Sequence, residues 1–466
     1  MHSKFVASNW MAPARVKFAT AIRFVQTISR NEHQMMDGKG SWSPSSSRVL
    51  LIALISSWTV SCGNAFADWP GLLGPTRNGL ADARSELPGK FSGAPKQVWK
   101  VDAGQGYAGP AIAGNDFVLF ERVGENDRVR LLNVLTGKEV WTRELLADYR
   151  GGVDADKGPR SVPTILEDSI LVYSAAGALT LLNRRDGALK WTRSLRKEYE
   201  AEDGYFGAGS TPLVVDNQVI VNIGGRSAGS VSVSLADGKT NWTSAYVEAS
   251  YASPILLPAA VGTSITAPIV VVPYKQKTVG LDLITGSALW EFPFGKRGTT
   301  VNAATPVATA DGNLFLTSSY EIGSLLVHPT QSSVQVLKSG NEIGSQYSTP
   351  VVIAGRIFGS DGREDFDEGA YKCLQASDGK LLWEQPDMPI CHTIGVGSTV
   401  LIMGIDGRIW AVDSTANRFT PLWQAELPSG KYRALPAFSG NRLYARTSNG
   451  AGDAWVCFQF GIGNSK

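Results

Sequence analysis

From about residue 95 onward, apolar and polar positions alternate in short bursts, and most bursts run into a Thr-Gly or Asp-Gly pair. Period-two alternation interrupted by such pairs predicts strands joined by tight hairpins, because glycine accepts the positive φ that the turn demands. The strings repeat. LLNVLTGKEVW ends at Trp141, LLNRRDGALKW at Trp191, VSLADGKTNW at Trp242, LDLITGSALW at Trp290 and CLQASDGKLLW at Trp383. Weaker copies end at Trp99 and Trp423, and a degenerate one, SLLVHPTQSSVQVLK, ends at Lys338. A second mark falls between these positions, where a small residue pair and a proline open an apolar strand: Pro110, Pro163, Pro212, Pro254, Pro306, Pro350 and Pro436. The seventh unit has Thr393-Ile394-Gly395 there instead. Proline suits the first residue of a strand, where its missing N–H costs no ladder bond.

Each unit therefore holds four short strands within about 40–50 residues, the sequence signature of a propeller blade. The expected fold is all-β, an eight-bladed β-propeller of four-stranded antiparallel blades. Seven blades is the alternative if the degenerate junction between the fifth and sixth units is misread. The last unit lacks a Trp strand, and the strand at Trp99 stands ahead of every blade, so it is expected to close the ring. One large aromatic per blade (Trp99, Trp141, Trp191, Trp242, Trp290, Trp383 and Trp423) reads as packing between neighbouring blades rather than as a ligand platform.

Composition narrows the classes. Only 18% of residues are charged and 50 of 466 are glycine, which excludes a disordered chain or a coiled coil. The net charge of +2 excludes a dominant basic face for nucleic acid. That charge is unevenly spread: seven of the 44 basic and two of the 42 acidic residues lie in 1–67, so the remainder is acidic by three. Arg48 is followed by the apolar run 49–60 and by Ala65-Phe66-Ala67, a basic flank, apolar core and A-x-A site that predict a secretory signal cleaved after Ala67. The run is too short for a stable transmembrane helix. Acylation at Cys62 is the alternative. The expected organisation is a leader at 1–67, a lead-in at 68–94, the propeller at 95–460 and a tail at 461–466, acting as a monomer in the periplasm or outside the cell.

Beyond the leader three cysteines remain, Cys373, Cys391 and Cys457, with no C-x-x-C, which permits one disulfide at most. His328 and His392 are too few for a multi-histidine metal site. Asp361, Glu364, Asp365, Asp367 and Glu368 crowd one loop without EF-hand spacing, and read as a solvated acidic loop.

The unit resembles the pyrroloquinoline-quinone (PQQ) repeat, which builds the quinoprotein alcohol dehydrogenases and the BamB-like assembly lipoproteins of the outer membrane. Residues 95–460 carry the resemblance. The stretches Asp68-Trp69-Pro70 and Gly74-Pro75-Thr76-Arg77-Asn78-Gly79 look like the lead-in of exported PQQ-like propellers. The resemblance implies either a non-catalytic binding protein of the envelope or a PQQ-dependent alcohol or sugar dehydrogenase, since one fold hosts both. The dehydrogenases cap PQQ with a disulfide of adjacent cysteines and hold calcium beside it on Glu, Asn and Asp. This chain has neither Cys-Cys nor a C-x-x-C-H haem site. The binding role is therefore the expectation, with no cofactor, and with PQQ and calcium only under the alternative.

Register adds a candidate site. The position three before each proline, or its equivalent, is Tyr107, Arg160, Gly209, Tyr251, Ala303, Tyr347, His392 and Arg433. Blade geometry puts all eight at one mouth of the central channel. Tyr107, Arg160, Tyr251, Tyr347, His392 and Arg433 are the expected ligand-binding residues. Two arginines without an evident acidic neighbour favour an anionic ligand or an acidic envelope partner.

Overall fold

Eight four-stranded antiparallel sheets follow one another along the chain. The computed structural model describes residues 67–260, 263–366, 369–450 and 452–461. Residues 1–66 of the leader, with Cys62, the tail beyond 461, and Asp367 and Glu368 lie outside the described residues. Blade 1 is β2 (Ala111–Ala113), β3 (Asp116–Val123), β4 (Asn126–Asn133) and β5 (Glu139–Leu146), paired in that order. The next six blades repeat the meander, the seventh opening on β26 (Cys391–Val396) and ending on β29 (Pro421–Glu426). Blade 8 takes β30 (Ala437–Ser439), β31 (Arg442–Asn449) and β32 (Gly452–Gln459) from the C-terminal end and β1 (Lys96–Asp102) from the N-terminal side. The ring is thus closed by the strand that carries Trp99. Eight blades stand, and the seven-blade alternative falls. The helix described is one turn, α1 (Leu195–Glu198).

The blade tryptophans act as latches. Each sits on the outer strand of its blade and donates its indole N–H to a backbone carbonyl of the next blade's outer turn. Trp99 reaches Val134, Trp141 reaches Arg184, Trp191 reaches Leu235, and Trp242 reaches Leu283, all at 2.9–3.0 Å. Trp290 reaches Thr330 at 3.1 Å and Trp383 reaches Ala416 at 2.9 Å. The ring lies on the turn glycine where there is one. Gly286 has φ +71°, and a Cβ there would stand 2.3 Å from Trp242, so the glycine supplies both the left-handed turn and the room for the indole.

A β-bulge aims each latch. Leu131 pairs with Trp141 but Leu132 pairs with Glu139, leaving Val140 unopposed. The same slip of one residue occurs beside Trp191, Trp242, Trp290, Trp383, Trp423 and Trp99. The extra residue breaks strict alternation and turns the indole toward the neighbour. Lys338 occupies this place in blade 5, with the same bulge. Its ammonium donates to the Gly379 carbonyl at 3.0 Å and its stem covers that glycine, which is why the degenerate unit still counts as a blade. Blade 8 has no outer turn, and the Pro88 carbonyl takes its place, 2.7 Å from Trp423 Nε1.

The lead-in closes the channel from one end. Trp69 exchanges two 2.8 Å backbone bonds with Ile112 of blade 1, and Ala81 bonds to Gly395 of blade 7 at 2.8 Å. Between them Leu72 and Leu73 pack on Val162 and Leu435. The Arg77 guanidinium donates to the carbonyls of Thr211, Pro212 and Pro254 at 3.1–3.2 Å. Nearer the channel, a girdle of hydroxyls joins adjacent blades. Backbone N–H groups of Val162, Thr211, Ser253 and Thr305 donate to the side-chain oxygens of Thr211, Ser253, Thr305 and Thr349 in turn.

All three described cysteines are free and buried, on separate strands. The allowance for one bridge is therefore not used. Burial pushes the Cys373 and Cys457 thiols up to about 12, which leaves them protonated packing groups.

Candidate functional site at the channel mouth

All eight register positions line one cavity of about 350 Å³. The structure brings Tyr107, Arg160, Tyr251, Tyr347, His392 and Arg433 together there, with Gly209 and Ala303 filling the two small positions. The reason is local. The proline mark fixes where each inner strand begins, so the residue three before it falls in the same loop of every blade. Thr211, Ser253, Thr305 and Thr349 of the hydroxyl girdle also line the cavity, and Leu72 of the lead-in contributes to its wall.

Arg433 is the centre of one wall. Its guanidinium lies 4.0 Å from the Tyr107 ring centroid and 5.7 Å from that of Tyr347. Its Nε donates to Glu364 at 2.9 Å and its Nη1 stands 3.5 Å from Asp154. Tyr347 donates its hydroxyl to the same Glu364 at 3.0 Å. Arg160 pairs with Asp156 at 3.2 Å and also donates to the carbonyls of Asp156 and Gly158. The expectation that these arginines stand without acidic neighbours is overturned. Asp154, Asp156 and Glu364 neutralise them, and the surplus positive charge that would draw an anion is absent.

The acidic loop corrects a second reading. Glu364 is not solvated: its side chain is 13% exposed and binds Arg433, Lys431 and Tyr347. Asp361 takes Lys372 at 2.7 Å, and Asp365 accepts from Arg363 Nε at 3.0 Å while lining the cavity. These carboxylates were invisible to a register argument, because they belong to loops of irregular length. The signal available was proximity: Asp154 and Asp156 lie just ahead of Arg160.

His392 is fully enclosed. Its Nε2–H donates to the Arg433 carbonyl at 3.0 Å, which fixes the tautomer and leaves Nδ1 bare and without a partner. Desolvation pulls its pKa down to about 4, so the ring is neutral at physiological pH. Burial raises the Tyr107, Tyr251 and Tyr347 phenols, with Glu364 adding to the effect on Tyr347. The cavity is accordingly an aromatic chamber whose ionic groups satisfy one another.

Eight blades latched by seven tryptophans and one lysine, a lead-in plug and repeat-register loops around a channel mouth define a PQQ-like repeat propeller. The family described as outer membrane protein assembly factor BamB matches residues 94–245 and 125–371, and the chain belongs to that family. The BamB of Yersinia pestis is 21% identical over 351 residues, covering 70% of this chain and 80% of its own. Among solved structures, BamB from Moraxella catarrhalis superposes with a TM-score of 0.55 at 18% identity, covering 78% of this chain and 97% of its own. The quinohemoprotein alcohol dehydrogenase of Comamonas testosteroni gives 0.58 at 12% identity, covering 84% and 80%. At such identities these structures speak for the fold.

Proposed function

We propose that the protein is an exported, non-catalytic binding propeller of the cell envelope, akin to its relatives named outer membrane protein assembly factors, with the channel-mouth cavity as its ligand site. The observation that carries this reading is the convergence of the eight register positions on one cavity whose charges are already paired. Catalysis needs a group free to take or give a proton or to attack. Here His392 is neutral and enclosed, the thiols are buried and protonated, and the arginines are held by carboxylates.

The same wall argues against PQQ. Among the described residues no tryptophan and no cysteine lines the cavity, so neither a stacking floor nor a disulfide cap can be drawn from it. Glu364, the carboxylate that reaches the cavity residues Arg433 and Tyr347, is already paired with Arg433 and Lys431. The residues present do not fit the cofactor. Purified protein supplied with PQQ, calcium and an artificial electron acceptor is expected to reduce no dye with alcohols or sugars; reduction above the protein-free control would overturn the non-catalytic reading.

Export rests on the leader. Cleavage after Ala67 makes Asp68 the first residue of the mature chain, and no described helix is long and apolar enough to cross a membrane. Intact mass of the protein recovered from the envelope fraction is expected to match a chain starting at Asp68. A lipid-modified chain starting at Cys62 would replace this with membrane anchoring.

A further inference from the structure

A second depression of about 560 Å³ adjoins the cavity, formed by loops of blades 2 to 4. The two share Gly209 and Tyr251 as a common wall. That wall is thin for a physical reason. Gly209 and Ala303, the two small residues of the register set, flank Tyr251 in blade order. A Cβ on Gly209 would lie 2.8 Å from the Tyr251 ring, and one on Gly204 would lie 3.0 Å from its hydroxyl. The Tyr251 side chain is held by one hydrogen bond from the Phe206 N–H at 3.2 Å and an edge-on contact with the Phe206 ring. Tyr251 is thus a partition between two spaces, not a seal built into a blade.

The groove suits a hydroxylated ligand without negative charge, since its three bases face four carboxylates and Glu200 is the one left over. Its bases are each matched by an acid: Arg226 with Glu202 at 2.9 Å, Lys275 with Glu248, and Arg196 with Asp203 at 4.0 Å. Among the described residues no cation of the groove is left over to select an anion. Two tyrosines on its walls, Tyr246 at 58% and Tyr205 at 40%, are exposed. Aromatic faces and a polar edge suit ligands that are apolar on one side and hydroxylated at the rim. Three buried groups of groove-lining residues, Asn222 Oδ1, Ser210 Oγ and Arg196 Nε, have no partner within the protein. They comprise an acceptor, a hydroxyl and a donor, a mixture that ligand hydroxyls can satisfy because each both donates and accepts.

We propose that groove and cavity form one elongated site for an uncharged oligosaccharide, lying along Tyr246 and Tyr205 and passing Tyr251 to end among Tyr107 and Tyr347. The inference rests on the cavity being a ligand site, and it adds the ligand's class and its path. The test is calorimetric titration of the mature protein with chitohexaose and with cellohexaose, each compared with its disaccharide. At least one hexasaccharide is expected to bind at least tenfold more tightly than its disaccharide. Tyr246→Ala and Tyr251→Ala are each expected to weaken it tenfold or more with unchanged melting, whereas Tyr251→Phe keeps it. Tyr246 is exposed, so its variant remains informative if Tyr251→Ala does not fold. No binding of either hexasaccharide at millimolar concentration overturns the proposal, as does binding indifferent to Tyr246 and Tyr251, or selective capture of an extended peptide or of a polygalacturonate oligomer. Dye reduction with PQQ would instead strike the non-catalytic reading itself, so the two failures are distinguishable.

Discussion

Trp242→Ala is expected to cost about 3–5 kcal/mol, the range for emptying a large buried aromatic site. The indole is 7% exposed, donates to the Leu283 carbonyl at 3.0 Å and covers Gly286. Its loss removes one of the contacts between blades 3 and 4 and leaves the carbonyl without its donor. The measurement is the shift in urea midpoint at pH 7, with Tyr246→Ala, an exposed tyrosine in the loop that follows, as a control near zero. Gly286→Ala should destabilise as well, but by less in the Trp242→Ala background, because the added methyl then meets space rather than the indole. Residues in contact are not additive, and the cycle isolates that contact. A Trp242→Ala cost below about 1 kcal/mol would mean that the latches contribute little to the ring.

The second large effect concerns acid. His392 has its pKa held at about 4 by burial, against about 6.5 in an unfolded chain. Between those values the unfolded chain takes up a proton that the folded protein refuses. Stability from this group is present above pH 6.5 and is lost as pH falls toward 4, amounting to about 3 kcal/mol. Asp127 has the opposite sign: burial pushes its carboxyl up to about 7, so folding favours its protonated form and stability falls as pH rises from about 4 to 7. The two slopes oppose each other in the wild type. His392→Gln should therefore show denaturation midpoints that rise from pH 7 to pH 4.5 relative to the wild type. Parallel profiles for the two proteins would show that His392 protonates freely in the folded state.

Much of the ring was legible in the sequence because it repeats. The turn glycines, the tryptophans that end the strings, and the proline marks are local signals, and register carried six side chains to one cavity before any coordinates. What stayed hidden was long-range or aperiodic. The bulges hid in plain strings: Leu381-Leu382-Trp383 places two apolar residues in a row where alternation allows one, and Leu382 is the unopposed residue. Lys338 looked like a lost tryptophan, although a long apolar stem with a terminal donor can do an indole's work. Glu364 and Asp154 could not be assigned to Arg433, because loops without periodicity give no register and the partners lie far apart in the chain. The hydroxyl girdle was equally silent, since a single Ser or Thr before a proline has a sufficient local explanation in the turn.

Blade 8 has a consequence for the order of events in folding. Its outermost strand, β1, comes early in the chain, whereas β32, the strand it pairs with, and the rest of the blade come last. β1 thus waits, unpaired and carrying the exposed edge of a future sheet, while more than 300 residues arrive. The Pro88 carbonyl waits likewise for its donor, Trp423, which comes from the opposite end of the chain. A chain cut short anywhere before residue 452 lacks the β32 partner of Trp99, so no truncated product can complete the circle. Ring closure in this protein therefore requires the chain through β32, and any shorter copy keeps the edge of β1 open to pairing with another strand.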